Sequence, residues 1–293
     1  MSKATDAPAA PPKQPPARPS PPKPTGGLPK KPANAPAAAV KFAPIRESTG
    51  HRIGLYGPGG IGKTLLGMTA PSPVVVYDLD DSLTVLKPQL EGLDIQQIGV
   101  ANWQEIRDSL HAPGWDGVGT IVVDSATKAE EMAIAHTLAK VKDDKGKGVT
   151  NIEGYGYGKG YSHVYDTFLL LLSDLDAHAR AGRNVILIMH DCTANVPNPT
   201  GEDYIRFEPR LQTLASGKNS IRLRVREWLD HLLFIGYDID VSKDGKGKGS
   251  GSRTIYPQEL PHCMAKSRSL TDPMPLEYRD ASVWPLLLGT ATE

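Results

Sequence analysis

The stretch Gly57-Pro-Gly-Gly-Ile-Gly62-Lys63-Thr64 limits what this chain can fold into more than any other. An apolar run, Arg52-Ile-Gly-Leu-Tyr56, precedes it, and Leu65-Leu-Gly-Met68 follows as the opening of a helix. The pattern G-x-x-x-x-G-K-T in strand, loop, helix order is a phosphate-binding loop. Its glycines let successive backbone N–H groups point into one concavity, and the start of the following helix adds positive potential. Lys63 is expected at the β- and γ-phosphates of ATP, and Thr64 is expected to offer its hydroxyl to Mg²⁺. The nucleotide-binding candidates are therefore Gly57, Pro58, Gly59, Gly60, Ile61, Gly62, Lys63, Thr64 and Leu65.

Three further apolar runs end in polar residues. Gly119-Thr-Ile-Val-Val-Asp124 is β-branched and uninterrupted, as in a parallel strand covered on both faces. Its terminal Asp124 is the second candidate metal ligand beside Thr64, unless it simply caps the next helix. Val74-Val-Val-Tyr-Asp78-Leu-Asp80-Asp81 also ends in acids. Ligands of open α/β sheets sit beyond the carboxyl ends of strands, so Asp80 is the candidate for orienting or deprotonating the attacking water, with Asp78 and Asp81 in support. The competing role for Asp80 is a cap on the helix that Ser82 begins. Asn184-Val-Ile-Leu-Ile-Met189 stops at His190, a candidate sensor of the γ-phosphate or a structural histidine. A zinc site from His190, Cys192, His262 and Cys263 lacks metal-ligand spacing.

Strands near 52–56, 74–78, 120–124 and 184–190 alternate with helical patterns. The expected fold is α/β, with a mostly parallel central sheet flanked by helices. The clearest helix starts near Tyr161, where Val164, Tyr165, Phe168, Leu172, Leu175 and Ala179 recur at helical spacing, and Gly182 ends it. Residues 191–217 show no obvious strand. Ile221–Trp228 reads as a helix and Asp230–Val241 as a strand. Lys243–Ser252 reads as a flexible tip, with Thr254–Tyr256 and His262–Arg268 returning along the sheet as a C-terminal β-hairpin.

Net charge is zero overall but unevenly divided. Residues 1–46 hold thirteen prolines and eight cations against Asp6, a net +7, which leaves −7 on residues 47–293. Such a segment has little to bury, and a disordered tail is expected, serving as an electrostatic tether to nucleic acid or as a partner-binding linker. The folded domain is then 47–293. Its longest unbroken aliphatic stretches, Phe168–Leu172 and Val185–Met189, fall far short of the roughly 18 residues of a membrane span. Two cysteines form no disulfide framework, and a cytoplasmic location is expected.

With these motifs in this order, the chain resembles the RecA-like ATPase core. Within it the chain is most similar to the phage-encoded RecA-like proteins of the Sak single-strand-annealing type, over about residues 50–280. The resemblance implies a catalytic carboxylate at Asp80, where RecA itself carries Glu, and a sensor at His190, where bacterial recombinases usually carry Gln. It also implies that Lys266 and Arg268 reach the ATP of a neighbouring subunit in a ring or filament; the plainer reading is two surface cations. Two loops match positions that contact single-stranded DNA in such proteins. The first, about 141–161, contains Lys142, Lys145, Lys147 and Gly154-Tyr-Gly-Tyr-Gly-Lys-Gly-Tyr161; the second, 191–217, contains Arg206, Phe207 and Arg210, with Lys218 following. Interleaved aromatics and lysines suit base stacking and phosphate neutralisation. The implied activity is DNA-stimulated hydrolysis of Mg²⁺-ATP in annealing or recombination, host cytoplasm being the location. The alternative is a nucleotide-dependent scaffold or switch with little turnover, whose tail recruits a single-strand-binding or replication protein. No Arg-rich lid or acceptor pocket favours a small-molecule kinase.

Overall fold

A computed structural model describes residues 42, 44, 49–214, 216–241 and 247–290. The expected disordered tail, 1–46, and residues 242–246 of the expected flexible tip thus lie outside the described residues, apart from Phe42 and Pro44.

The strands are β1 (Arg52–Tyr56), β2 (Val74–Asp78), β3 (Ile95–Gln97), β4 (Thr120–Asp124), β5 (Asn184–Met189), β6 (Asp191–Val196), β7 (Tyr204–Pro209), β8 (His231–Val241), β9 (Gly247–Tyr256) and β10 (Met274–Pro275). The helices are α1 (Lys63–Met68), α2 (Leu83–Leu86), α3 (Trp103–His111), α4 (Ala126–Lys140), α5 (Lys159–Arg180), α6 (Ile221–Trp228) and α7 (Val283–Leu288). The main sheet has the order β10-β9-β8-β1-β5-β4-β2-β3. From β8 through β1, β5, β4 and β2 to β3 every pairing is parallel; β9 and β10 add antiparallel strands at one side. The α/β class, the mostly parallel sheet and the C-terminal hairpin agree with expectation.

Alternation along each strand explains why the sheet carries helices on both faces. In β4, Ile121 and Val123 join one apolar cluster and Val122 the other; in β5, Val185, Leu187 and Met189 oppose Ile186 and Ile188. The first cluster is closed by Trp103, Ile106, Phe168, Leu171, Leu175 and Val225 from α3, α5 and α6, and the second by Leu66, Met68, Trp284 and Leu287 from α1 and α7. Burying a side chain of this size is worth about 1.5–3 kcal/mol, so these two layers hold the sheet in register. One residue of slip would turn every inward side chain to the wrong layer.

Three expectations need correction. Residues 191–217 are not strandless: β6 and β7 pair antiparallel from Asp191↔Pro209 to Val196↔Tyr204. Residues 247–252, expected in the flexible tip, belong to β9, where Val241 pairs with Gly247 and Ile239 with Gly249. His262–Arg268 forms no strand among the described residues; Cys263 and Lys266 make isolated bridges only, to Phe207, Leu260 and Leu232. Among the described residues no helix is long and apolar enough to cross a membrane.

Candidate functional site

Strands β1, β2, β4 and β5 run in the same direction, so their carboxyl ends deliver Gly57, Asp78, Asp124 and Met189 to one edge of the sheet. The phosphate loop leaves β1 at Gly57, whose φ of 151° is open to glycine; a Cβ there would meet the Ile235 carbonyl oxygen at 2.1 Å. Gly60 and Gly62, at φ 74° and 105°, complete the bend into α1. Lys63 is buried, and its Nζ donates to the carbonyls of Gly57 at 2.6 Å and Pro58 at 2.8 Å. Burial lowers its pKa, with Asp191 and Asp124 acting in the opposite sense. The amine is thus held inside the loop's own concavity, where charged phosphate oxygens are better acceptors than neutral carbonyls.

Thr64 Oγ1 donates to Asp124 Oδ2 at 2.6 Å, joining the two residues expected to share Mg²⁺. Asp124 is 4% exposed, and burial raises its pKa despite that hydrogen bond; Asp80 and Asp78 raise it further. A buried carboxylate with a hydroxyl beside it and two more acids nearby is an all-oxygen donor set. That chemistry fits a hard divalent cation such as Mg²⁺, whose charge would favour the ionised form that burial disfavours.

The acids after β2 divide their work. Asp78 is the cap of α2: its Oδ1 accepts from the Ser82 amide at 2.8 Å and its Oδ2 from the Leu83 amide at 3.0 Å. Asp80 therefore does not serve the helix. Instead Ser125 Oγ donates to Asp80 Oδ2 at 2.6 Å, and His190 Nε2 lies 3.4 Å from the same oxygen. The Asp80 side chain stays 30% exposed, open to solvent at the sheet edge that carries Asp124. Asp81 has φ 55° and takes no described part in this cluster.

His190 is also fixed through its backbone. Its amide donates to Thr127 Oγ1 at 3.1 Å, and its carbonyl accepts from the Arg210 amide at 2.8 Å. Thr127 belongs to α4 and Arg210 follows β7, so the histidine beside Asp80 is tied to the base of the β6–β7 hairpin. Two residues on, the Gln212 amide donates to Glu130 Oε1 of α4 at 2.7 Å, and its Nε2 donates to the Tyr161 carbonyl at 3.1 Å. Asn219 Nδ2 donates to Ser162 Oγ at 2.6 Å. The two loops expected to contact DNA are therefore joined at the start of α5.

Glu130 is buried, which pushes its pKa up from 4.5 to about 7 against the opposing Gln212 hydrogen bond and the Arg222 charge. A carboxyl with a raised folded-state pKa keeps a proton that the unfolded chain has already released. Its contribution is favourable below the unfolded value and is lost as pH rises from about 4.5 to 7. The rise in pKa corresponds to about 3 kcal/mol at most. Glu130→Gln is accordingly expected to flatten this part of the stability profile, gaining up to that amount on wild type between pH 5 and pH 8. Urea denaturation of both proteins at the two pH values measures it; a constant difference between them contradicts the assignment.

Several residues expected at a DNA surface are structural. Tyr155 is buried, its hydroxyl donating to the carbonyls of Thr137 and Val141. Tyr161 bonds Glu153, and Lys159 pairs with Asp144. Arg206 is buried against Glu208 and Glu259, and Phe207 stacks on Phe234 at 5.1 Å. What remains at the surface is Tyr157, fully exposed at φ 49°, with Lys142, Lys145, Lys147, Arg210 and Lys218.

Lys266 and Arg268 are elsewhere. Lys266 bridges Leu232, the residue opposite Gly54, and Arg268 Nε lies 3.4 Å from Asp230, which Arg52 also holds at 3.0 Å. That is the amino end of β1, while the phosphate loop follows its carboxyl end, so neither cation belongs to the nucleotide site of its own chain. His190 and Cys192 are not gathered with His262 and Cys263 around a metal; among the described residues no such cluster exists, and both cysteines are free.

Sequence reasoning missed Ser125 and Thr127, which position Asp80 and His190, and Arg253, which reaches the phosphate loop from β9. Ser125 was accessible as the hydroxyl residue directly after Asp124. Nothing local marks Arg253.

No curated protein matches this chain. Solved structures do, among them a KaiC-like protein from the hyperthermophilic archaeon Pyrococcus horikoshii, 13% identical, with a TM-score of 0.40 over 78% of this chain and 86% of that one. The AAA domain family matches residues 49–269, which include the phosphate loop, Asp80, Asp124 and His190. With most of its length inside that match, the chain belongs to the AAA domain family and is a P-loop NTPase.

Proposed function

We propose that this NTPase is a RecA-like ATPase of the phage single-strand-annealing type, which binds Mg²⁺-ATP and single-stranded DNA and promotes annealing or recombination. The observation that carries the reading is the connection from Asp80 through His190 to Arg210: the water-activating edge of the sheet is bonded to the loops that bear the free cations and Tyr157. Asp80 orients and deprotonates the attacking water, and Ser125 and His190 hold the carboxylate for that task. Lys63 stabilises charge that develops on the γ-phosphate. Thr64 and Asp124 would hold Mg²⁺, which neutralises phosphate charge when bound. A change at His190 moves Arg210 directly and Gln212 two residues later, coupling nucleotide state to the DNA-facing loops. Lys266 and Arg268, remote from their own nucleotide site, are suited to act on a neighbouring subunit in a ring or filament.

Burial of Tyr155 and Arg206 and the stacking of Phe207 on Phe234 favour a second reading, a nucleotide-dependent switch with little turnover that recruits a replication protein through its tail. ATP hydrolysis with and without single-stranded DNA, together with DNA binding in Mg²⁺-ATP at low salt, separates the two. The expected result is DNA-stimulated turnover and a loss of DNA affinity in Tyr157→Ala of about five- to a hundredfold, the range of one base–aromatic stack. Absence of DNA binding under those conditions overturns the recombination reading and leaves the switch.

A further inference from the structure

The C-terminal hairpin brings a second cation to the phosphate loop. Arg253, half-buried on β9, donates from Nη1 to the Ile61 carbonyl at 3.1 Å. A Cβ on Gly62 would lie 2.9 Å from the same nitrogen, so the guanidinium rests against the two residues that precede Lys63. Lys63 meanwhile holds the Gly57 and Pro58 carbonyls at the other end of the loop. β9 reaches this point because β8 packs directly on the loop, with the Ile235 carbonyl against Gly57, and Tyr237 of β8 pairs with Arg253. Leu276, Glu277, Arg279 and Asp280 line the same narrow cleft beside Leu65.

A guanidinium has five N–H donors in a fixed fork. Among the described residues one of Arg253's is engaged, and no carboxylate pairs with it. Holding one carbonyl needs only a neutral donor. A full positive charge with unspent donors, resting on the loop at Ile61 and Gly62, can take a further acceptor, and the planar fork suits phosphate oxygens.

We propose that Arg253 is a nucleotide-binding residue supplied by the C-terminal hairpin: it grips the loop through Ile61 and turns its remaining donors to the phosphate chain of the bound nucleotide. The proposal rests on the nucleotide reading of the loop. It makes the hairpin part of the site, so that nucleotide occupancy and hairpin position depend on each other.

The test is binding of a fluorescent ATP analogue to the full chain and to Arg253→Ala, Arg253→Lys, Arg253→Gln and Lys63→Met. Arg253→Ala is expected to weaken binding about ten- to a hundredfold, the range for a hydrogen bond to a charged group, and to flatten its salt dependence. Arg253→Lys is expected to recover part of the loss and to bind more tightly than Arg253→Gln, which keeps a donor for Ile61 without the charge. Equal affinity of the Lys and Gln variants, or Arg253→Ala within about twofold of wild type, overturns the proposal. Should Arg253→Ala fail to fold, the Lys and Gln comparison decides alone. If wild type binds no nucleotide, the reading of the loop fails and this proposal with it; if wild type binds and Lys63→Met does not, the loop reading stands whatever Arg253 does.

Discussion

Lys63→Met is expected to leave a folded protein that has lost most of its affinity for ATP and nearly all of its turnover. The amine is the loop's own cation, buried and aimed at two carbonyls that line the concavity. A hydrogen bond to a charged group contributes about 1.5–3 kcal/mol, so affinity should fall about 10- to 100-fold. Turnover should fall further, by about 10²–10³, because Lys63 also meets charge that exists only in the transition state. Stability should not fall with it. Burial lowers the Lys63 pKa, which means that the nucleotide-free fold disfavours the charged amine, and methionine fills the same channel without a charge. Isothermal titration with ATP and a thermal melt of the free protein check both halves. A variant that binds ATP as wild type does removes Lys63 from the site, and one that melts early shows that its bonds to Gly57 and Pro58 serve the fold.

The parts of this site that were legible in the sequence are those built from neighbours in the chain. Gly57 to Thr64 carries its geometry in its own glycines, and Asp124 ends a strand whose apolar run is plain. The two helical layers follow from strands without polar positions. What was not legible depends on residues far apart. Whether Asp78 or Asp80 caps α2 is decided by the turn geometry around Ser82, not by the spacing of the acids. Tyr155 and Tyr157 are identical in sequence context, yet one hydroxyl is captured by Thr137 and Val141 and the other is left in solvent. The β6–β7 hairpin escaped notice because β6 buries no residue fully and two of the residues that β7 buries, Arg206 and Glu208, are charged. Part of what holds it is the Tyr56 hydroxyl of β1, donating to the Phe207 and Met264 carbonyls, a contact that spans 151 residues at its shorter reach. Arg253 is a similar case, 192 positions along the chain from Ile61.

Asp80→Asn is expected to separate binding from hydrolysis, which is the sharper result. Asn occupies the same volume and can still accept from Ser125 Oγ, so the turn after β2 is preserved, and Asp78 keeps the cap of α2 unaided. Affinity for ATP should therefore stay within about threefold of wild type, since Asp80 bonds none of the loop residues. An amide cannot take a proton from water at neutral pH, and loss of a general base typically costs about 10²–10⁴ in rate. Steady-state hydrolysis beside equilibrium ATP binding measures the split. His190→Gln provides the companion measurement: it keeps a polar contact to Asp80 and the backbone bonds to Thr127 and Arg210, so it should lower turnover less than Asp80→Asn while weakening any stimulation by DNA. Equal loss of binding and turnover in Asp80→Asn would assign the carboxylate to architecture, and full activity would pass the water to Asp124 or Asp78. Both of those acids already have partners: Asp124 holds Thr64, and Asp78 holds the Ser82 and Leu83 amides. Asp80 is held by side chains alone: the Ser125 hydroxyl, which also caps α4 by accepting from the Lys128 amide, and His190.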